Sequence, residues 1–204
     1  MTDGAVSRAI EARRSARRFG EGAVSRETIL GLVALACAAP APHHSRPWRF
    51  VHVASKEARQ RLAETMIDAW RHDLEADGTA EPEIARRLAL SERQIAHAPA
   101  LLVACLSPTA ARRWRDARRR RAERDMFIQS MGAALQNLLL AAEERGLVGY
   151  LKGAPLFCPQ AVVKALELPP DWEPTFLVLL GRPAEGSAPK TRRAVDLSEV
   201  FTER

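Results

Sequence analysis

Several clusters in this chain have residue types and spacings suited to chemistry. Near the N-terminus, Arg13-Arg14-Ser15-Ala16-Arg17 places three arginines and a hydroxyl where a helix gives way to a loop. Guanidinium groups grip phosphate oxygens in a fork, and a nearby serine can hydrogen-bond a polyol. Lys190-Thr191-Arg192-Arg193 repeats the basic theme near the C-terminus. Each cluster alone also reads as a solvated turn or tail. His43-His44-Ser45-Arg46-Pro47-Trp48 pairs two histidines in a proline-bracketed loop. No third ligand is evident, so no metal site is expected. The segment reads as a polar loop or as a rigid ligand wall ahead of a strand. Gly149-Tyr150-Leu151-Lys152-Gly153 sets glycines where backbone amides can approach a flat ring closely. The run Arg112–Arg121 holds seven arginines around Trp114. It has three readings: a nucleic-acid surface, a solvated helix edge, or an electrostatic funnel for a polyanionic substrate. No recognisable nucleic-acid module accompanies it, and nucleic acid is not expected as a partner.

These groups need elements to hold them. Residues 3–13 read as a helix, and Ser25 reads as the N-cap of a second, with Ile29, Leu32, Val33 and Ala36 on one face. Ala39 to Pro47 must be an extended, proline-pinned loop, leading to a strand over Phe50 to Ala54. Ser55 caps a third helix with Leu62, Met66, Trp70 and Leu74 at helical spacing, and residues 80–97 form another. Ala100 to Leu106 is a continuous apolar run that suits a strand buried on both faces. The strongest helix runs from about Ala122 to Arg145 and stops at Gly146. A short strand near Val148–Leu151, a loop through Gly153 and Pro155, a helix begun by Pro159 and a strand over Phe176 to Leu180 follow. The tail to Arg204 has no domain of its own. One α+β domain over residues 1–204, helix-rich with a small sheet, is the reading.

Composition sets the outer bounds. With 204 residues and 47% hydrophobic content, the chain can build one ordinary globular core. No apolar run approaches the ~20 residues of a membrane span, and no signal core is seen, so a cytoplasmic location without membrane attachment is expected. Cys37, Cys105 and Cys158 lie far apart in apolar settings and suit buried thiols in a reducing compartment. The net charge of +6 favours an anionic ligand. P-loop, Rossmann and nucleophile-elbow signatures are absent, which sets those classes aside.

Taken in order, the segments resemble the nitroreductase family. Arg13-Arg14-Ser15-Ala16-Arg17 looks like its flavin phosphate and ribityl segment, the loop into Pro47-Trp48 like its N-S-Q-P-W segment, and Lys190-Thr191-Arg192 like its K-S-R clamp. A nearer resemblance is to the nitroreductase-type C-terminal domain of the bifunctional ligase that matures the deazaflavin coenzyme F-420. It runs through Ala39 to Phe50, Met126-Phe127, Gly132-Ala133-Ala134, Arg145-Gly146-Leu147 and Leu168 to Pro174. The ligase unit itself is not expected here.

The resemblance implies a nitroreductase-like fold, with a small, mostly antiparallel sheet surrounded by helices in an intertwined homodimer. It implies FMN at the subunit interface and NAD(P)H as a candidate electron donor. Arg13, Arg14, Ser15 and Arg17 would contact the flavin, with Arg17 as the cation near N1, and Lys190 and Arg192 would clamp the phosphate. Pro40, Ala41, Pro42 and His44 would be laid against the flavin by the partner. Gly149, Tyr150, Leu151, Lys152 and Gly153 would turn backbone amides toward flavin N5. The implied reaction is reduction of the C=C bond in a small anionic substrate, the dehydro precursor of the deazaflavin, against Trp48 or Trp114. The rivals are a general NAD(P)H-dependent nitro or quinone reductase and a non-catalytic flavin or deazaflavin binder.

Overall fold

A computed structural model describes residues 4–112, 114–187, 192 and 194–204. Strand β2 (Ala100–Leu106) is buried along its whole length, which explains why its sequence is apolar without alternation. The strands β1 (Trp48–His52), β2, β3 (Val148–Lys152) and β4 (Glu173–Gly181) form one antiparallel sheet in the order β1-β2-β4-β3. The register pairs Trp48 with Leu106, Leu102 with Val178, and Tyr150 with Leu179.

Side chains alternate across the sheet and feed two cores. Leu102, Ala104, Val178 and Leu180 face α2 (Arg26–Ala36) and α5 (Ala117–Glu144), among them Leu32, Phe127, Leu135 and Leu138. Leu101, Val103, Leu177 and Leu179 face the opposite core, with Leu62 and Met66 of α3 (Lys56–Ala76), Ile95 of α4 (Glu81–His97) and Val162 of α6 (Pro159–Leu166). The remaining helix, α1 (Ala5–Ala12), buries none of its residues within the chain.

The caps read from sequence are in place. Ser25 Oγ accepts from the Thr28 N–H at 3.1 Å, and Ser55 Oγ from the Ala58 N–H at 3.1 Å. Gly146, at φ 67°, ends α5, and the Leu147 N–H returns to the Ala142 carbonyl at 2.9 Å.

Several boundaries differ from the sequence reading for identifiable reasons. Helix α5 begins at Ala117 rather than near Ala122, because the Asp116 carboxylate caps it by accepting the Arg119 N–H at 2.8 Å. Arg118 to Arg121 therefore lie in the first turns of the long helix. Strand β1 starts at Trp48 because the ladder to β2 runs that far. The segment from Ala39 to Pro47 is not extended throughout. It folds into a 3₁₀ turn over Pro42–His44, with His43, His44 and Arg46 at φ 55°, 54° and 47°. Of the cysteines only Cys105 is fully buried, and burial pushes its thiol up to about 12. Among the described residues no helix is long and apolar enough to cross a membrane.

Candidate active site

The edge of the sheet at β3 organises the site. The stretch after α1 lies along it: Ser15 forms a parallel bridge with Gly149, and the Ala16 N–H donates to the Gly149 carbonyl at 3.2 Å. Further on, Phe19 bridges to Pro183, and the Gly20 N–H donates to the Arg182 carbonyl at 3.0 Å. The N-terminal segment is thus stitched to the sheet at both ends. Since the Gly149 carbonyl points out of the sheet, alternation directs the Leu151 N–H to the same side. The short strand expected near Val148–Leu151 is this edge strand, one residue longer, and Gly153 follows it, so the sequence reading of amides offered to a flat ring falls on that edge.

The two basic clusters, 179 positions apart in sequence, converge here. Arg192 Nη2 donates to the Arg13 carbonyl at 2.6 Å. The Arg13 guanidinium is held below its ordinary value by burial, then by the nearby charges of Arg192 and Arg14, with Glu143 opposing. Arg14 folds back on α1, donating to the Ala12 and Arg13 carbonyls at 3.2 and 3.0 Å. Mutually repelling cations held together by backbone contacts form a place where an anion relieves the repulsion. Lys190 lies outside the described residues.

Arg17 stacks on the Tyr150 ring, its guanidinium carbon 4.7 Å from the centroid. The Lys152 side chain lies on the same face of β3 but crosses to α4. Its Nζ donates to Ser91 Oγ at 2.7 Å and Gln94 Oε1 at 3.0 Å. Burial lowers its ammonium to about 8. Sequence reasoning considered this position only for its backbone. The signal for its side chain was a lysine two residues after Tyr150, and so on the same half-buried face.

The loop carrying Pro40, Ala41, Pro42 and His44 is a separate part of the chain, anchored to α5 and Arg112. Ala41 packs against the α5-side core, and the His44 N–H donates to the Ala41 carbonyl at 3.2 Å. His43 Nδ1 and Arg112 Nη2 are 3.0 Å apart, while the Arg112 N–H donates to Glu123 Oε2 at 3.0 Å. Glu123 is only 3% exposed, and neither its Oε1 nor the buried Ser45 Oγ has a hydrogen-bond partner among the described residues. Three non-glycine residues at positive φ in this loop cost of order 1–3 kcal/mol each. Such strain is held in place by its anchors and concentrates at functional surfaces. Glu123 was missed in the sequence, where nothing separates it from the charged residues around it.

Trp48 is 4% exposed and packed in the α5-side core, so it cannot be a platform for a flat ligand. Trp114 is half-buried and flanked by Arg119 and Arg112, at 4.8 and 5.9 Å from its ring centroid.

Comparison with known proteins gives this geometry a family. The 5,6-dimethylbenzimidazole synthase of Rhodospirillum rubrum is 30% identical over 184 residues, covering 85% of this chain and 79% of its own. A nitroreductase-like family protein from Bacillus cereus shares the fold with a TM-score of 0.76 at 22% identity, covering 100% of this chain and 98% of that one. The FMN-dependent nitroreductase of Mycobacterium smegmatis, solved in complex with NADPH, gives 0.72 at 20% identity, covering 98% of both chains. The model of the nitroreductase family matches residues 10–182, and the chain belongs to that family.

Proposed function

We propose that the protein is an FMN-dependent oxidoreductase, active as a homodimer with NAD(P)H as electron donor, that reduces the C=C bond of the dehydro precursor of coenzyme F-420. The observation that carries the flavin assignment is the convergence of Arg13 and Arg192 beside the edge of β3. Arg13 and Arg192, with Lys190, would hold the phosphate, and Arg14 and Ser15 its approach through the ribityl chain. The outward edge at Gly149 and Leu151, with Gly153 just past it, would line the ring with backbone groups, while Tyr150 turns its backbone to β4 and steadies Arg17, which would lie near the pyrimidine side. When bound, FMN supplies the hydride. The protein's part is to bind, orient and exclude water.

The dimer is supported by what one chain leaves uncovered. Val6 and Ile10 of α1 and Leu35 of α2 are exposed, and a groove of about 620 Å³ runs between α1, α2 and α5. Apolar surface of this kind marks an interaction face. In the dimer, Pro40, Ala41, Pro42 and His44 of each chain would close the partner's flavin site.

The anionic substrate is supported by the start of α5. Its first turns carry Arg118, Arg119, Arg120 and Arg121 with no acidic residue inside the first turn, although a helix N-terminus disfavours cations. Local contacts offset part of this: Arg119 pairs with Asp116, and Arg120 Nη1 donates to the Trp114 and Arg115 carbonyls at 3.1 and 2.9 Å. An anionic ligand would offset more. The specific observation favouring a general reductase is the fold shared with an FMN-dependent nitroreductase solved with NADPH.

Steady-state assays of the dehydro precursor and a neutral nitroaromatic, at low and high salt, distinguish the two. Replacing Arg118 to Arg121 by Gln should raise KM for the precursor and leave the neutral compound nearly untouched. If both substrates respond alike, or the precursor is not reduced, the general reductase reading replaces this one. A protein that cannot be reconstituted with FMN removes both.

A further inference from the structure

A cavity of about 530 Å³ opens between α3, α4 and the turn that follows β3, with Lys152 reaching into it from the end of the strand. Trp70 and Met66 form its apolar wall, and Phe157, 82% exposed, stands at its mouth. The volume is in the range of about 300–1,000 Å³ that holds a small organic ligand. Two acidic side chains, Asp73 and Asp77, line it from the C-terminal end of α3, where both are exposed.

The charge arrangement is specific. An ammonium has three N–H donors, and Lys152 gives two of them to neutral acceptors, Ser91 Oγ and Gln94 Oε1. Its nitrogen also sits 5.9 Å from the Trp70 ring centroid. Among the described residues it forms no ion pair, and burial is the sole cause of its lowered proton affinity. A half-buried cation with a donor left over, an aromatic wall beside it and carboxylates only at the exposed rim is poised for a ligand that supplies the missing anion.

We propose that this cavity is a binding site for a small planar molecule carrying one carboxylate, received by Lys152, and a cationic amine at its other end, received by Asp73 and Asp77. The flat body would rest against Trp70, with Phe157 covering it. A second carboxylate at the amine end would face the rim charges and be rejected. This site is distinct from the phosphate clamp at Arg13 and Arg192, and it does not depend on the reaction proposed above.

Calorimetric titration with three probes tests it: 4-(aminomethyl)benzoate, benzoate and terephthalate, at one ionic strength, before and after FMN reconstitution. The zwitterion should bind roughly two- to fivefold tighter than benzoate, a modest gain expected of a rim charge contact, and terephthalate should bind most weakly. Lys152→Met should abolish binding of all three, and Lys152→Arg should restore part of it. The doubly exchanged Asp73→Asn, Asp77→Asn protein, altered only at exposed positions, should bind benzoate as before and lose the preference for the zwitterion.

The pH profile adds a second readout. The groups that meet the amine or share its cavity are Asp73 from α3, Asp77 at the C-cap of that helix, Ser91 and Gln94 from α4, and Cys158 from the turn before α6. The Cys158 thiol is pushed up by burial and then by Asp73, so it stays protonated over the range that matters. Benzoate affinity should therefore fall as pH rises through about 8, when Lys152 loses its charge. Equal binding of terephthalate and the zwitterion, or binding unaltered by Lys152→Met, overturns the proposal. So does displacement of the probe by FMN, which would make the cavity part of the flavin site.

Discussion

Arg17 and Lys152 show how differently two cations can be held by the same short strand. Arg17 lays its planar guanidinium over the Tyr150 ring. Lys152 gives up water for Ser91 and Gln94, and burial makes its ammonium a stronger acid. The lysine should leave a signature in stability. In the unfolded chain it titrates near 10.5, and in the fold near about 8. Below the lower value both states are protonated, and the fold carries the cost of a desolvated charge. Between the two values the folded state binds fewer protons, so stability gains with rising pH. Lys152→Met removes this gain. Its melting temperature relative to the parent protein should be highest near pH 7 and decline steadily toward pH 10, measured by thermal denaturation across that range. A difference that stays constant with pH would show that Lys152 is not desolvated. The basic clusters at Arg13 to Arg17 and around Arg192 were legible in sequence as candidate anion sites, because guanidinium groups suit phosphate; their meeting beside β3 was not. The role of Lys152 was not, because nothing local reveals that α4 will bring Ser91 and Gln94 to meet it.

At the scale of elements, strand β3 joins the core to the site. Gly149 is where the two meet: its carbonyl receives the Ala16 N–H, while a Cβ built on it would come 2.5 Å from Leu139 Cδ2 and 3.0 Å from Leu180 Cδ2. The atoms met are side-chain ends, but both leucines are buried, so their rotamers have little room to shift. Gly149→Ala should therefore cost about 1–3 kcal/mol through overpacking and loosen the segment at Ser15 and Ala16 as well. Gly31, inside α2, provides the control, since nothing lies within 4 Å of the Cβ it would gain. Gly31→Ala should stabilise by about 0.5–1 kcal/mol through helix propensity alone. Urea unfolding of both variants checks the pair, and equal effects would contradict the tight approach of β3 to α5. Hydrophobic pattern made the helices and β2 legible, since burial on both faces writes itself into Ala100 to Leu106. It marked the short strand near Val148–Leu151 but could not show that this strand lies at the sheet edge, because that depends on pairing with β4, more than twenty residues later. Nor could it show the turn in the histidine loop, whose positive φ angles fall on His43, His44 and Arg46, where no glycine marks them.

Among the described residues, two stretches of exposed apolar surface bear on assembly. One is α1 with the groove beside Leu35, and the other is the tail, where Val195, Leu197, Val200 and Phe201 are all exposed. Apolar area left in water forgoes roughly 25 cal/mol for every Å² that burial would remove from it. A second copy of the chain covers both if the tail of each embraces the other, and the same pairing would bring each histidine loop to the partner's β3 edge. Assembly and cofactor retention are then one event. Light scattering should give a homodimer, and its melting temperature should rise with protein concentration, as mass action requires of a subunit equilibrium. Val6→Glu combined with Leu35→Glu, both at exposed positions of one chain, should yield a folded monomer that has lost most of its flavin. Arg13→Ala with Arg192→Ala should instead remain a dimer and lose flavin through the phosphate clamp alone. The two variants separate the contributions of interface and clamp. A stable monomer that keeps its flavin would remove Pro40, Ala41, Pro42 and His44 from the site and leave the strand edge and the arginine pair to hold the cofactor unaided.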